Sequence, residues 1–522
     1  MNLKGMFLNT SKPNIFMVNE NLKKIVKGAA LVFIGIIISK IFTYFYRLYI
    51  ARYLGAENYG LLNLGFAVLG VATAISLLGL PSGVLRYVSY YKGKENYKKV
   101  TSTIISSLKI TIPLSIIIGI LLFIFSKNIS IHLFHTEKLI IIIKLFAILV
   151  PFSVILSNLE VITQAFQKIK YNIFIRNISE SSIQLFSTIL LVSIGLGILG
   201  AVIGYMIAIF SSALLFFLVV QKKVYPFINA KIKIENNYKE ILFYSWPLIF
   251  VYLLGMIIAW TDNIFIGYFK DASSVGLYNT ALPTSRLLMI IPTTIIFLFI
   301  PIITELYGKN KKKEVEKVYK TTTKWTFFLN FPIMLLMILF SKQILNFLFG
   351  KEYLGAASAL VVLSLGHFFY SLTQLSSSVL QSIKKTKIIL LNSIIIIILN
   401  LILNIYLISK YGILGAAIAT SISFFVSSIL FYFEAYIFTK IQPITSNMLK
   451  SMIAGVLSTA IIYLIIKFIF VDLSLLLAIP LAIIFFVLYI ILLLIFKSFD
   501  KEDLLIIRSI LNKFNIKLFK KS

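Results

Sequence analysis

The feature that most constrains this chain is a series of fourteen apolar runs, each between 20 and 29 residues long. A helix needs roughly 20 apolar residues to cross the hydrocarbon core of a membrane. In lipid the backbone polar groups must be satisfied within the segment, and none of the runs alternates as a barrel strand does. The runs therefore predict an all-α integral membrane protein with about 14 transmembrane helices. They cover 28–50, 60–82, 101–126, 139–160, 177–196, 198–221, 241–262, 275–303, 325–346, 354–381, 388–408, 412–438, 451–471 and 474–496.

The composition supports the same class. Of the 522 residues 59% are hydrophobic and 13% are charged, whereas soluble proteins average about 45–50% and about 25%. This excess of apolar residues excludes an ordinary soluble enzyme and a disordered chain. The absence of cysteine removes disulfides and thiolate metal sites. The three histidines have no evident partner ligands, so we expect neither a metal site nor a cofactor.

The distribution of Lys and Arg predicts the orientation in the membrane. Of the 50 Lys and Arg residues, 37 lie in the N-terminal segment, the even-numbered loops and the C-terminal tail, and only 6 lie in the odd-numbered loops. Positive loops remain on the cytoplasmic side. We therefore expect a multi-pass protein of the cytoplasmic (cell) membrane with both termini in the cytoplasm. We therefore expect the net charge of +31 to interact with anionic lipid headgroups of the membrane and not with nucleic acid.

The two halves of the chain contain matching short sequences at nearly one offset. Because this offset corresponds to six helices, an even number, the repeats share their orientation, as in some secondary transporters. The matches are Gly60–Asn63 with Gly276–Asn279 at 216, Gly197–Ala201 with Gly412–Ala416 at 215, and Gln167–Lys170 with Gln381–Lys384 at 214.

The repeat and the runs together predict two pseudo-symmetric six-helix lobes and two additional helices. The predicted segments are a cytoplasmic N-terminal segment (1–27), an N-lobe (28–221), a cytoplasmic linker (222–240), a C-lobe (241–438), helices thirteen and fourteen (439–496) and a basic amphipathic cytoplasmic tail (497–522).

Four stretches resemble known signatures. Arg52–Leu64 and Leu80–Tyr87 resemble the first-loop region of the polysaccharide (O-antigen-type) flippases, and Leu380–Lys387 followed by Tyr411–Thr420 is similar to their second-lobe signature. That family belongs to the multidrug/oligosaccharidyl-lipid/polysaccharide exporter superfamily. The resemblance implies a transporter, not an enzyme, which works by alternating access. Its cargo would be a lipid-linked oligosaccharide on a polyprenyl (di)phosphate, for surface polysaccharide or glycan assembly.

Charged residues inside spans are expensive and are candidates for function. Lys40 and Arg286 lie near mid-depth of the first and eighth spans, and Arg47 lies at the outer end of the first. We predict that these cations line a central cavity and bind the diphosphate, because a guanidinium binds phosphate with two parallel hydrogen bonds. For Lys40 and Arg286 the alternative is pairing with buried carboxylates or carbonyls, of which Asp262 is the nearest candidate. For Arg47 the alternative is anchoring to lipid headgroups.

The remaining candidates are polar residues near the span ends. Asp262 and Asn263 are predicted to hold a coupling ion (H+ or Na+) or to line the cavity. Glu160, Glu180, Arg52 and Arg86 are gate candidates. For Glu160 and Glu180 the alternative is an ion pair with Lys168, Lys170 or Arg176. For Arg52 and Arg86 the alternative is anchoring to lipid headgroups. Asn400 and Asn404 share one helix face, which favours interhelical contact over sugar binding.

Two other functions stay open from the sequence. A cation-coupled multidrug exporter is expected to place carboxylates at its centre, whereas the mid-depth charges here are positive. A membrane glycosyltransferase or polymerase needs paired acidic residues for base or metal chemistry. The predicted outer loops carry only single acidic residues.

Overall fold

A computed structural model describes residues 15–227, 260–469, 475–500 and 503. Throughout these residues all regular structure is helical, as predicted. The α-helices are α1 (Ile15–Leu77), α2 (Leu80–Gly93), α3 (Tyr97–Ile124), α4 (Ser126–Asn128), α5 (Leu139–Ala165), α6 (Ile169–Asn172), α7 (Glu180–Leu191), α8 (Gly197–Val219), α9 (Ala272–Ser285), α10 (Ile290–Gly308), α11 (Lys312–Leu339), α12 (Ser341–Leu348), α13 (Ala357–Ser382), α14 (Thr386–Thr439), α15 (Ser446–Ile469) and α16 (Leu475–Ile495). Residues 260–269 are also helical.

Nine stretches of the described residues are long and apolar enough to cross a membrane. Three of them, Ile37–Leu77, Lys170–Val224 and Thr386–Thr439, have 41, 55 and 54 residues. A helix rises 1.5 Å per residue, so each is about two to three times as long as the roughly 30 Å hydrocarbon core requires. Each covers two of the predicted spans. The total of fourteen stays a prediction, because most of the seventh span lies outside the described residues.

Several predicted boundaries differ from the observed helices. Helix α1 begins at Ile15, well before the predicted start at 28, because the polar stretch that follows Pro13 is free of proline and glycine up to Gly28 and favours helix. The eighth span is not one kinked helix: a 3₁₀ turn, Arg286–Met289, separates α9 from α10. Of the linker only 222–227 are described, and of the tail only 497–500 and 503.

The chain divides into two compact units. The first comprises Met1–Arg47, Ala72–Ile120 and Ala147–Phe250, and the second comprises Leu48–Val71, Leu121–Phe146 and Val251–Ser522. A core around Val88, Ile104, Leu159 and Phe216 holds the first unit together. In the second unit an aromatic core around Phe327, Phe331 and Phe368 joins α11 to α13. The predicted lobes 28–221 and 241–438 stay a prediction.

The repeat appears as matching backbone geometry at two glycines. Gly197 has φ 52° and ψ −133°, and Gly412 has φ 57° and ψ −131°. This conformation favours glycine because it lacks a Cβ atom. After each turn the next helix packs closely: a Cβ atom on Gly200 would touch the backbone of Leu191, and one on Gly415 would overlap that of Leu407. The turn at Gly195–Gly197 therefore separates two packed helices, α7 and α8.

A second pair of equivalent segments packs against each other within the second unit. A Cβ atom on Gly60 would overlap the carbonyl of Ala272, and one on Gly276 would overlap the carbonyl of Ala56. Since 56 and 60 correspond to 272 and 276 at the offset of 216, the contact is reciprocal. Small residues four apart let the two helix backbones approach, as in membrane helix pairs.

The third sequence match is wrong in register. The turn after α5 has its positive φ at Gln167 (58°), and the turn after α13 has it at Lys384 (63°), which is an offset of 217 and not 214. The backbone hydrogen bonds agree: the N–H of Lys168 donates to Thr163, and that of Lys385 donates to Leu380. The backbone hydrogen bonds define where each turn lies. A glutamine that occurs near both turns therefore does not set the register in which the two repeats match.

Candidate functional site

A small polar cavity lies inside the second unit, with a volume of about 40 Å³. Such a volume holds one or a few waters or a small ion, because one water needs at least about 10–15 Å³. Six of the nine residues that line it are charged or polar, and the lining is Asp262, Leu282, Arg286, His367, Ile396, Asn400, Thr420, Ser423 and Phe424. The cavity therefore places a predicted cation and a predicted carboxylate in one site.

Asp262 is buried and accepts hydrogen bonds from three residues on two helices, α9 and α14. Its Oδ1 accepts from Asn404 Nδ2 at 2.9 Å. Its Oδ2 accepts from Thr420 Oγ1 at 2.9 Å and from the Tyr278 hydroxyl. A buried carboxylate is costly unless hydrogen bonds and charges compensate it. This arrangement fixes the carboxyl group in position inside the second unit.

The two asparagines of α14 complete the surroundings of Asp262. Asn404 donates to Asn400 Oδ1 at 3.0 Å as well as to Asp262, and Asn400 approaches Thr420 at 3.4 Å. The Oδ1 of Asn404 is buried and has no hydrogen-bond partner among the described residues. Most buried polar atoms are satisfied, so this oxygen is an exception, although Asn404 is not among the residues that line the cavity. Asn400 and Asn404 also fulfil the predicted interhelical contact.

Asn263 faces a different neighbour. Its Oδ1 accepts from Asn279 Nδ2 at 2.8 Å, and the same amide donates to the Val275 carbonyl at 2.8 Å. Asn263 is absent from the cavity lining described above. Its contact thus joins the helix 260–269 to α9, next to the residues that bind Asp262.

Arg286 lies at the break of the eighth span. It begins the 3₁₀ turn between α9 and α10, and Pro283 and Pro292 flank that turn. A proline removes a helical hydrogen bond and clashes with the carbonyl four residues before it, which explains the local change of helix type. Arg286 is exposed, and it lines the same cavity as Asp262. The guanidinium and the carboxyl group therefore share one cavity.

Lys40 and Arg47 lie in the first unit, on α1. Lys40 is exposed and Arg47 is half-buried. Their predicted convergence with Arg286 on one cavity stays a prediction.

Glu160 and Glu180 share one arginine inside the first unit. Arg176 Nη1 lies 2.6 Å from Glu180 Oε1, and Arg176 Nε lies 3.7 Å from Glu160 Oε2. Asn172 Nδ2 also approaches Glu160 at 3.4 Å. Of the three basic partners considered from the sequence, Arg176 is therefore the one that pairs with both carboxylates.

The two outer arginines differ in their surroundings. Arg52 Nε donates to the Leu348 carbonyl at 2.8 Å, and its Nη2 donates to the Phe347 carbonyl. It thus caps the C-terminal end of α12. Arg86 is exposed, and its guanidinium carbon lies 5.8 Å from the centre of the Tyr87 ring.

Sequence reasoning did not find three residues of the site. Tyr278 and Thr420 bind Asp262, and His367 lines the cavity. His367 Nδ1 lies 3.0 Å from the Leu363 carbonyl. As this nitrogen must then carry the proton, Nε2 is the acceptor of the neutral ring. Tyr278 lies inside the matched repeat segment Gly276–Asn279, and Thr420 ends the stretch Tyr411–Thr420 that resembles the second-lobe signature, so these were the signals available for them.

Two family models match the chain. The model described as "Polysaccharide biosynthesis protein" matches residues 25–307, which is more than half of the chain, and the model named MatE matches 247–406. The chain is 25% identical to an uncharacterized membrane protein of Methanocaldococcus jannaschii over 78% of this chain and 84% of that protein. It is 24% identical to a putative O-antigen transporter of Shigella flexneri, over 76% and 94%.

A solved structure has the same fold. The lipid II flippase MurJ in an inward closed conformation matches with a TM-score of 0.72 and 22% identity, over 91% of this chain and all of that one. The fold class predicted from the apolar runs is thereby confirmed. The chain is a multi-span membrane protein that belongs to the polysaccharide biosynthesis protein family.

Proposed function

We propose that this protein is a flippase that moves a lipid-linked oligosaccharide across the membrane by alternating access. The observation that carries the proposal is the cavity of the second unit, where Arg286 and Asp262 line one polar site. The family match and the relative named a putative O-antigen transporter support the same cargo class. The relevant membrane would be the cell membrane, with both termini in the cytoplasm, as the distribution of Lys and Arg predicts.

The role of Arg286 is to bind the (di)phosphate that links the saccharide to its polyprenyl carrier. The guanidinium presents parallel donors that fit phosphate oxygens. Its position at a break in the helix, with the side chain exposed, leaves it accessible to a headgroup. Lys40 and Arg47 are proposed to add positive charge from the first unit, while the polyprenyl tail remains in the bilayer.

The first test compares flipping of a fluorescent polyprenyl-diphosphate oligosaccharide in vesicles by the wild type and by Arg286→Ala. We expect the rate to fall about 10- to 100-fold, since a hydrogen bond to a charged group contributes about 1.5–3 kcal/mol. Arg286→Lys should retain part of the activity. Lys313→Ala removes an exposed cation of α11 and should change nothing.

Two results would count against the proposal. Normal flipping by a well-folded Arg286→Ala variant would place the phosphate elsewhere. If the wild type does not flip the oligosaccharide lipid and instead exports a cationic dye, the multidrug exporter would be favoured. The MatE match is compatible with that function.

Asp262 is proposed to bind the coupling cation, a proton or Na+. The carboxylate, the unpartnered oxygen of Asn404 and the side-chain oxygens of Asn400 and Thr420 form an oxygen-rich group. Hard cations prefer such ligands. A cation at this place would neutralise Asp262 and strengthen the positive potential that Arg286 offers to an anionic headgroup.

Asp262→Asn should therefore abolish the dependence of flipping on a Na+ or pH gradient. The matched control is Asp271→Asn, because Asp271 is an exposed carboxylate that caps α9 through the Ser274 N–H at 2.7 Å, and asparagine also caps well. Flipping is measured with each gradient imposed separately. Unchanged gradient dependence in Asp262→Asn would refute this role without affecting the proposed cargo.

A further inference from the structure

The break in α1 at Gly55 is held by residues from a distant part of the chain. Gly55 has φ 78° and ψ 172°, which interrupts the helix. Its surroundings are the segment that joins the end of α12 to the start of α13. We call the contact between these two segments the outer clasp. It consists of Ala51, Arg52 and Ala56 on one side and Phe347, Leu348, Glu352 and Tyr353 on the other, all within the second unit.

Every hydrogen bond of the outer clasp satisfies a backbone group at a helix end. The Ala56 N–H, which follows the break, donates to Glu352 Oε1 at 2.8 Å. The Tyr353 hydroxyl donates to the Ala51 carbonyl at 2.7 Å. Helix ends leave such groups without intrahelical partners. A carboxylate is also favoured at a helix N-terminus by the helix dipole.

The clasp is reciprocal in charge. Arg52 extends from α1 to the carbonyl end of α12, where a cation is favoured. Glu352 extends in the opposite direction, to the amide end of the helix that follows Gly55. Each side therefore depends on the other to satisfy its helix end, so the bonds form and break as a set. Arg52 and Glu352 are both exposed, and water can replace their bonds when the two sides part.

The two sides come from different predicted lobes. Arg52 and Ala56 belong to the first loop and Glu352 to the ninth, and odd-numbered loops are predicted to be external. We propose that the outer clasp is the external gate of the transport cycle: it is formed while the outer side is closed and separates when the outer side opens. This inference rests on the proposed alternating-access function and names its gate. The competing reading is a permanent staple that never opens.

A reversible crosslink distinguishes a gate from a staple. The chain contains no cysteine, so an introduced pair reacts without background. We choose Arg52→Cys with Leu348→Cys, joined by a short reducible bis-thiol reagent. The matched control is Glu57→Cys with Lys138→Cys, whose native side chains form an exposed ion pair at 2.8 Å between two segments of the same predicted lobe.

A gate predicts that the crosslinked clasp pair loses flipping and regains it upon reduction, whereas the crosslinked control pair flips normally. Equal flipping by the crosslinked and reduced clasp pair would show a permanent staple and overturn the proposal.

A second measurement is independent of the cargo and remains decisive if the protein flips nothing. Spin labels at Tyr53 and Phe347, both more than half exposed, report the distance across the clasp by electron spin resonance. A gate gives two distance populations, and Glu352→Ala increases the longer one. A single distance, unchanged in Glu352→Ala, would refute the gate whatever the outcome for the proposed function.

Discussion

Asp503→Ala is expected to destabilise the protein by about 3–5 kcal/mol, because it removes the buried one of the two carboxylates that bind Lys324 and with it a shared hydrogen-bond acceptor, while Asp500 stays 2.6 Å from Nζ. The side chain of Lys324 is 3% exposed and that of Asp503 is fully buried, with Nζ and Oδ2 2.7 Å apart. Asp503 also accepts from Trp325 Nε1 at 2.9 Å and from the Asp500 N–H at 2.7 Å. The substitution therefore removes the acceptor of three donors.

The measurement is the thermal midpoint of the detergent-solubilised protein, together with its unfolding in denaturant. Lys320→Ala is the matched control, because Lys320 forms an ion pair with Glu316 on the same helix but is 37% exposed. Exposed pairs contribute about 0–1 kcal/mol. An Asp503→Ala variant as stable as Lys320→Ala would show that Lys324 reaches water. It would also show that the pair of Lys324 and Asp503 does not stabilise the packing of the residues after α16 against α11.

The same cluster should weaken in acid. Partial burial raises the pKa of Asp500, but the hydrogen bond and the charge of Lys324 outweigh it and hold this pKa below its usual value. A carboxyl with a lowered pKa in the folded state adds stability above its unfolded value, near 3.9, and loses it as the pH falls through the folded value. The stabilising contribution of Asp500 is thus complete at neutral pH.

Gly276→Ala is expected to have the other large effect, at the contact between the repeats. The added Cβ atom would overlap the Ala56 carbonyl, and the obstructing atom belongs to the backbone and not to a flexible side chain. The helices must separate, at a cost that reaches or exceeds the roughly 1–3 kcal/mol typical of overpacking. Gly60→Ala should behave similarly, because it meets the Ala272 carbonyl.

The control for both is Gly308→Ala, where a Cβ atom meets nothing within 4 Å. Alanine also favours helix over glycine by about 1 kcal/mol, so this variant should be as stable as the wild type or more so. Monodispersity and thermal midpoint in detergent check the three proteins. A Gly276→Ala variant with the midpoint of Gly308→Ala would mean that the helices separate easily.

The apolar runs predicted the membrane fold because lipid imposes a length and a composition on every crossing helix. The same reasoning identified Asp262 and Arg286, since a charge inside a span is exceptional. It did not identify Tyr278, Thr420 or His367, because hydroxyls and a single histidine are common in membrane helices and acquire meaning only through their neighbours. Residues 262 and 420 are far apart in sequence, and only the packing brings them within hydrogen-bond distance.

The repeat extends beyond the three short matches between the two halves. Phe125-Ser126-Lys127 and Phe340-Ser341-Lys342 lie 215 residues apart. In both, the phenylalanine N–H donates to a leucine carbonyl four residues before it, and its own carbonyl accepts from an isoleucine four residues after it. Such agreement was hidden by the apolar background, in which short matches arise by chance.

The reciprocal contact of Ala56 and Gly60 with Ala272 and Gly276 has the geometry of a homodimer interface inside one polypeptide. In a two-fold dimer residue i of one subunit meets residue j of the other and the converse also holds, so a single substitution alters the interface twice. Fusion of the two copies removes that constraint, and each side is then free to change alone. Asn63 and Asn279 still match, each donating to the carbonyl four residues earlier. Tyr59 donates to the Asn279 carbonyl at 3.2 Å. Its equivalent in the second repeat is Val275, which has no hydroxyl to donate, so this pair of positions has diverged.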